Sequence, residues 1–515
     1  MNKLFPKIPF VTDETPLSWA ARQAAFHTGG RLLPFLKDMK VPADDLAHGS
    51  PEAIMRLCDK ADQDPEPVFR NAITAIGGRR CSLRGNSFAA NFTTGVVTRI
   101  CPFCLAEDLS TSDMPDVELR HRFLWQLAPV RYCSVHGVLL RDIRLGAWHD
   151  KFHELQAMHD LIEAEISEPP DRSPRKPSDL QIYVERRLEG AEGPKWLDEQ
   201  NIDQATRVTE MLGGLIVYGP NQKASAMASA MWDEAARAAW DLVSEGEGAV
   251  LDFLFETLES SRRQLGQARP RKAFGMLYTW LASCGATNAA GPIGKLLREV
   301  ICEKVPLAPG QILFGEPVLQ PRFSTIVSIA KSEMVGPQEL REMLHAAGVE
   351  EKPMGAGAYN MVVEYARVAD VIGAMKQAAS VAEIEIFLGA SEKVVPALME
   401  TGLLAPITGK AYSNQASASK IDVRSACHLL SYMKKNFVSV DEVPQGYIQV
   451  ELLAKRSFGK LVVVLELIFK GHVSGICQLS GDQRMQGIYV DAVEVEALLQ
   501  NLPQGLSEDS YLLFL

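Results

Sequence analysis

Cys101-Pro102-Phe103-Cys104 and Cys133-Ser134-Val135-His136 are the stretches on which the reading of this chain turns. Each sets two soft or borderline metal ligands two residues apart, a gap that lets one tight turn present both to one ion. Together Cys101, Cys104, Cys133 and His136 make the four-ligand set of a structural zinc site. Pro102 in the first pair, and Ser134 with Gly137 just after it in the second, supply turn chemistry. The pairs are separated by the 28 residues 105–132, more than the roughly 15–20 of commoner zinc modules. A helix over residues 119–127 is expected to take up the difference. Four protein ligands leave no open position for water, so one Zn2+ per chain is expected as a staple, with no catalytic residue assigned.

The other cysteines, Cys58, Cys81, Cys284, Cys302, Cys427 and Cys477, are scattered through 515 residues. They read as small buried apolar groups in a reducing compartment, not as a disulfide framework. Hydrophobic residues at 47% and charged residues at 23% exclude wholesale disorder and suggest several globular domains. Residues 1–10, MNKLFPKIPF, lack the apolar core of a signal peptide, and the best apolar run, residues 461–465, is broken by Glu466. A soluble protein of the bacterial cytoplasm, with no membrane partner, is expected.

The net charge of −11 is unevenly spread. Residues 1–149 carry a balance of +2 and residues 150–259 a balance of −13, while residues 260–515 hold 25 groups of each sign. Two stretches have no carboxylate at all: residues 67–106, with Arg79, Arg80 and Arg84 just before the first cysteine pair, and residues 260–298. In the second, Arg262, Arg263, Arg269, Arg271 and Lys272 fall within eleven residues. Unneutralised arginine forks suit phosphate, so both sets are candidate contacts to DNA, with an inter-domain face as the alternative use.

Residues 166–180, ISEPPDRSPRKPSDL, contain four prolines among charges and serines and read as a linker or exposed loop. They separate a domain over residues 1–165 from an acidic-to-basic helical domain over 181–320. Helical apolar spacing recurs at residues 180–192, 202–217, 227–242, 274–284 and 293–301. After Pro321 the grain changes to short helices joined by glycine turns. Residues 323–332 and 337–347 form one pair and residues 380–403 a second, giving a helix-turn-helix-like module or modules over 321–410. In the second pair Ser380 and Glu383 form a capping box, Gly389 turns the chain, Ser391 is expected to cap the next helix, and Val395, Leu398 and Met399 face inward. Pro396 falls early in that helix and Lys393 is its one cation, the candidate DNA contact there. A third pair over 447–470 and a small β-wing over 474–490 make residues 411–515 a winged-helix-like module. No fixed-period repeat is visible. The fold class expected is mainly α, a zinc-stapled N-terminal domain followed by helical domains.

Catalytic signatures are missing: there is no phosphate-binding glycine loop, no G-x-S-x-G and no H-x-E before Cys101. His149 and His153, with Glu154, stand four apart on an expected helix and His159 follows, but the pattern is not H-E-x-x-H and no second metal site is expected there.

Over residues 5 to about 150 the chain resembles the TniQ family of transposon target-selection proteins, which includes TnsD-like selectors. Asp13-Glu14-Thr15-Pro16-Leu17-Ser18-Trp19-Ala20-Ala21-Arg22 is similar to the family's opening turn and helix. Arg99-Ile100-Cys101-Pro102-Phe103-Cys104-Leu105-Ala106-Glu107-Asp108 is similar to its first knuckle. Phe123-Leu124-Trp125-Gln126-Leu127 followed by Cys133-Ser134-Val135-His136-Gly137-Val138-Leu139-Leu140 is similar to the second, with serine at 134 where the family often has proline. Trp19, Arg22 and Trp125 would be packing residues of that domain. The resemblance implies a non-catalytic recruiter that recognises a DNA target directly or through a CRISPR effector complex. It then engages an AAA+ ATPase, and through it the transposase. A zinc-containing helix-turn-helix transcriptional regulator would use the same modules without transposition partners, and a zinc enzyme would need fewer protein ligands and a pocket at the metal.

Overall fold

The structure, a computed structural model, describes residues 3–111, 113–169, 174–265, 268–285, 290–349, 352–353, 361–407, 420–456 and 461–501. It is mainly helical with small sheets, as expected. The chain divides into two compact units, Met1–Val305 with Ile312–Pro317, and Pro306–Gln311 with Val318–Leu515.

In the first unit, the helix Pro16–Thr28 starts where Thr15 Oγ1 accepts the Ser18 amide and Pro16 takes a first-turn position. It buries Trp19 completely, edge-on to Phe10 at 5.8 Å, and packs with the helices Leu32–Asp38 and Pro51–Ala61 around one core. A three-stranded meander follows, Thr74–Gly77, Arg80–Leu83 and Asn86–Ala89. The strand Thr98–Ile100 then pairs antiparallel with Arg141–Ile143. That pairing, with the bridge between Tyr132 and Leu139, brings Cys101 and Cys133 into one place although they lie far apart in sequence.

The spacer departs from expectation. Residues 119–127 are not one helix. The helix is Pro102–Ser110, beginning at the first cysteine pair itself, with a single turn at Pro115–Glu118 and a 3-10 turn at Phe123–Gln126. Bridges from Glu14 to Arg122 and from Thr93 to Leu127 hold the chain extended on both sides of Trp125 and leave room for only that short turn. Trp19, Arg22 and Trp125 are nevertheless buried, as a packing role requires.

The helices Asp179–Leu188, Ile202–Tyr218, Ser229–Glu245, Glu247–Leu265, Pro270–Cys284 and Ile293–Lys304 complete this unit. Ile202–Tyr218 and Ser229–Glu245 approach so closely that a Cβ on Gly213 would lie 1.7 Å from the Ala235 carbonyl oxygen, so only glycine fits.

The second unit repeats one arrangement three times. A short strand runs straight into a helix, a second helix follows, and a later strand returns antiparallel to the first. The opening strands are Phe323–Thr325, Ala378–Ser380 and Tyr447–Gln449. The first helices are Ile326–Glu333, Val381–Leu388 and Val450–Arg456, and the second Pro337–Ala346, Val394–Glu400 and Leu461–Phe469. The returning strands share a register: Glu364, Asp422 and Asp491 stand opposite Phe323, Ala378 and Tyr447. Ile326, Val381 and Val450 enter the first helices buried, as do Ile329, Ile384 and Leu453 one turn on. Four residues beyond each acidic position Val368, Ala426 and Val495 are fully buried, Val368 as the N-cap of the helix that follows and the other two within it. In the first and third a strand pair closes the repeat, Lys352–Pro353 with Met361–Glu364 and Ile476–Leu479 with Ile488–Asp491, which is the strand–helix–helix–hairpin order of a winged helix-turn-helix.

Several local expectations need correction here. Residues 323–325 are strand, not helix, and Thr325 caps the helix that follows. Ser380 does form the capping box with Glu383, and Gly389 takes the left-handed turn at φ 58°. Ser391 does not cap the next helix, which begins only at Val394; its amide donates to Glu451 Oε1 at 3.1 Å. Pro396 is thereby placed in the first turn, where amides have no helical partner to lose. Val395 and Leu398 are fully buried and Met399 partly so. The wing expected near the C-terminus is the antiparallel pair Ile476–Leu479 and Ile488–Asp491, in a four-stranded sheet.

Candidate metal centre

Cys101 is the N-cap of the helix Pro102–Ser110, and Cys104 sits in its first turn, so the helix start aims both sulfurs the same way. The second pair lies in a turn closed by bonds from the Cys133 amide to the Val138 carbonyl and from the Gly137 amide to the Cys133 carbonyl, both 2.8 Å. The ligand atoms of Cys101, Cys104, Cys133 and His136 all lie within 4.8 Å of one another. Cys104 Sγ is 3.6 Å from Cys133 Sγ, and His136 Nδ1 is 3.6, 3.3 and 3.7 Å from the sulfurs of Cys101, Cys104 and Cys133. A tetrahedron with metal–sulfur legs of ~2.3 Å and a metal–nitrogen leg of ~2.0–2.1 Å has edges of roughly 3.5–3.8 Å. The four residues fit one metal ion.

The electrostatics agree. Cys104, sharing hydrogen bonds with Cys101 and Cys133 and buried besides, is pushed above the ordinary thiol range. Cys133 accepts from both other thiols and is pulled below it. Three thiolates this close repel one another, and a divalent cation removes that cost. Burial opposes a charge on His136, but Cys133 and Glu107 outweigh it and hold the imidazole up.

Glu107 is the residue that the sequence reading missed. Its Oε1 lies 3.0 Å from His136 Nε2, which fixes the tautomer that leaves Nδ1 free to ligate. The signal was available: Glu107 stands three residues after Cys104 on one helix, hence on the same face. Its neighbour Asp108, 3% exposed, accepts from both Arg120 and Arg122 and locks the helix to the strand side of the domain. Glu14, likewise fully buried, receives Arg22 Nη1 at 2.7 Å and the Val11 amide at 2.8 Å, and burial pushes its carboxyl up to about 7 against the pull of Arg22.

His149 and His153 bring no second metal cluster among the described residues. The expected helix is a 3-10 turn, Trp148–Phe152, with His153 as its left-handed cap. His153 Nδ1 lies 2.9 Å from Thr98 Oγ1, and its ring stacks on His121 at 5.1 Å. Glu154 instead accepts Arg31 Nε at 2.8 Å and the Leu32 amide at 2.9 Å.

The candidate DNA contacts part company. Arg84 is taken up inside the unit: its side chain is 6% exposed, pairs with Glu189, donates to Asn71 Oδ1 at 2.7 Å and lies 4.0 Å over the Phe123 ring. Glu189 belongs to the acidic segment and is a long-range partner for Arg84. Arg80 donates to Ser87 Oγ at 3.1 Å and faces Asp203 at 3.7 Å. Arg79, at the tip of the first hairpin, is exposed. Arg262 is exposed and pairs within its helix with Glu259 at 2.8 Å. Arg263, Arg269, Arg271 and Lys272 are exposed, the last two in the first turn of Pro270–Cys284. Lys393, exposed, is the N-cap of Val394–Glu400 in the second unit.

Among the described residues no helix is long and apolar enough to cross a membrane. No curated protein matches the chain. The family model TniQ matches residues 5–140, the span that runs from the opening turn through both halves of the metal cluster, so this part of the chain is similar to a TniQ domain.

Proposed function

We propose that the chain is a non-catalytic, DNA-binding adaptor for transposon target-site selection. It engages a target, read directly or through a CRISPR-type effector complex, and recruits an AAA+ ATPase that brings the transposase. The observation that carries this reading is the TniQ match over residues 5–140, which encloses the four-ligand cluster. The ion is assigned as Zn2+, since three thiolates and one imidazole in a closed tetrahedral set suit it best. A closed set acts as a staple: Cys101 and Cys104 hold the helix start, Cys133 and His136 hold the second turn, and the ion supplies folding free energy between them.

DNA contact is assigned to the exposed cations Arg79, Arg262, Arg263, Arg269, Arg271 and Lys272. The full chain retrieved from its native host, with nucleic acid retained and sequenced, should carry DNA and an AAA+ ATPase. Retrieval of neither, or nuclease or ATPase activity that follows the purified chain, would overturn the adaptor reading.

A further inference from the structure

A cavity of about 450 Å3 opens in the first unit between the TniQ domain and the helices that follow it. Phe92, from the turn after the meander, Trp232, from Ser229–Glu245, Trp280, from Pro270–Cys284, and Met227 form apolar walls. Arg99, Arg131 and Arg207 line the same space. Small-molecule sites are commonly clefts of ~300–1,000 Å3 with aromatic walls and a few convergent polar groups.

The charges around it do not balance. Glu210 serves two guanidiniums, accepting Arg131 Nη2 at 2.6 Å and Arg207 Nη1 at 3.2 Å. Arg99 gives Nε to Asp142 at 2.9 Å and Nη1 to the carbonyls of Leu127, Ala128 and Val130. Asp203 Oδ2 accepts the Ala89 amide at 3.0 Å, while its Oδ1 faces Arg80 at 3.7 Å, beyond hydrogen-bond reach. Four guanidiniums thus meet three carboxylates, and one positive charge is left over. Arg99 and Arg131 are buried and closely paired, so the surplus falls on Arg207 and Arg80, whose side chains are 34% and 32% exposed, and it draws an anion there.

The aromatic walls set the shape of that anion. Arg207 lies 4.7 Å over the Trp232 ring and is held there between indole and Glu210. Trp280, partly exposed, lines the same cavity and has neither a guanidinium nor another ring against it among the described residues, so it is the indole offered to a planar group. Asn91 and Ser229, also in the lining, offer hydrogen bonds to ring heteroatoms.

We infer that this cavity takes a nucleotide unit, its base against the tryptophan wall and its phosphate at the surplus guanidinium. Two sources share that chemistry, a free mononucleotide and an unpaired nucleotide of a single strand. The site does not depend on the adaptor reading.

Tryptophan fluorescence and calorimetry on the full, metal-loaded chain test it, with AMP, dTMP, an eight-residue oligothymidylate, adenosine and inorganic phosphate as probes. Saturable quenching by the mononucleotides assigns a free ligand; saturation by the oligonucleotide alone assigns a strand. Either result should be weakened tenfold or more by Trp280→Leu, with the melting temperature unchanged. Arg207→Gln should weaken nucleotide tenfold and leave the weak binding of adenosine unaltered, and it carries the test if Trp280→Leu does not fold. No saturable binding by mononucleotide or oligonucleotide, or wild-type affinity in Arg207→Gln, would overturn the inference.

Discussion

Glu107 decides how His136 presents itself, because a carboxylate 3.0 Å from Nε2 stabilises the tautomer whose Nδ1 can ligate. Removing such a partner commonly costs metal affinity by ~10–100-fold. Glu107→Ala should therefore lose zinc to a competing chelator at least tenfold more readily than wild type, while Cys101→Ser/Cys133→Ser should hold none. An unchanged chelator curve for Glu107→Ala would show that the contact does not orient the ring. His153 supports a second expectation at this scale. Burial holds its pKa down at about 4, below the 6.5 of an exposed histidine, despite the opposing pull of Asp150. The unfolded chain therefore binds the proton first. Its contribution to stability is fully present above pH 6.5 and is lost progressively as pH falls toward 4, by on the order of 2–3 kcal/mol. Denaturation of wild type and His153→Gln between pH 7 and pH 4 should show their stability difference shrinking with acid; a constant difference would contradict the assignment.

At the scale of elements, what was legible in the sequence is what is local. The two ligand pairs, the Ser380–Glu383 box and the Gly389 turn are each set within a few residues, so spacing alone located them. The stacking of His121 on His153 and the capture of Arg84 by Glu189 join distant segments, and no local pattern signals them. The triplicate module escaped for a related reason: its strands open at Phe323, Ala378 and Tyr447, an unequal spacing, and only a few apolar positions and one acidic position recur. Ser380→Ala should cost the second module ~1 kcal/mol, read as a lower midpoint in urea, as loss of an N-cap does. The second helices of the later modules make poor base readers. Val394–Glu400 and Leu461–Phe469 contain no basic residue, and Lys393 lies only at the cap of the former. Lys393→Ala should leave the ranking of DNA sequences unchanged in a selection from random duplexes; a shifted consensus would put that helix in a groove.

Across the whole molecule the acidic segment is partly consumed by the arginines that precede it. Glu154 takes Arg31, Glu189 takes Arg70 and Arg84, Asp203 faces Arg80, and Glu210 takes Arg131, all within the first unit. Arg84→Ala should consequently lower the melting temperature and spare DNA affinity, whereas loss of the exposed cations Arg263 and Arg271 should do the reverse. The measurement that bears most directly on a DNA-binding adaptor is the affinity of the full chain for duplex DNA titrated across salt. Each phosphate contact adds about 0.9 to the slope of log affinity against log salt. The account predicts salt-dependent binding whose slope falls by about two units in Arg263→Ala/Arg271→Ala with the melting temperature unmoved. Binding that is absent at low salt, or a variant that melts earlier while its slope stays that of wild type, would contradict it.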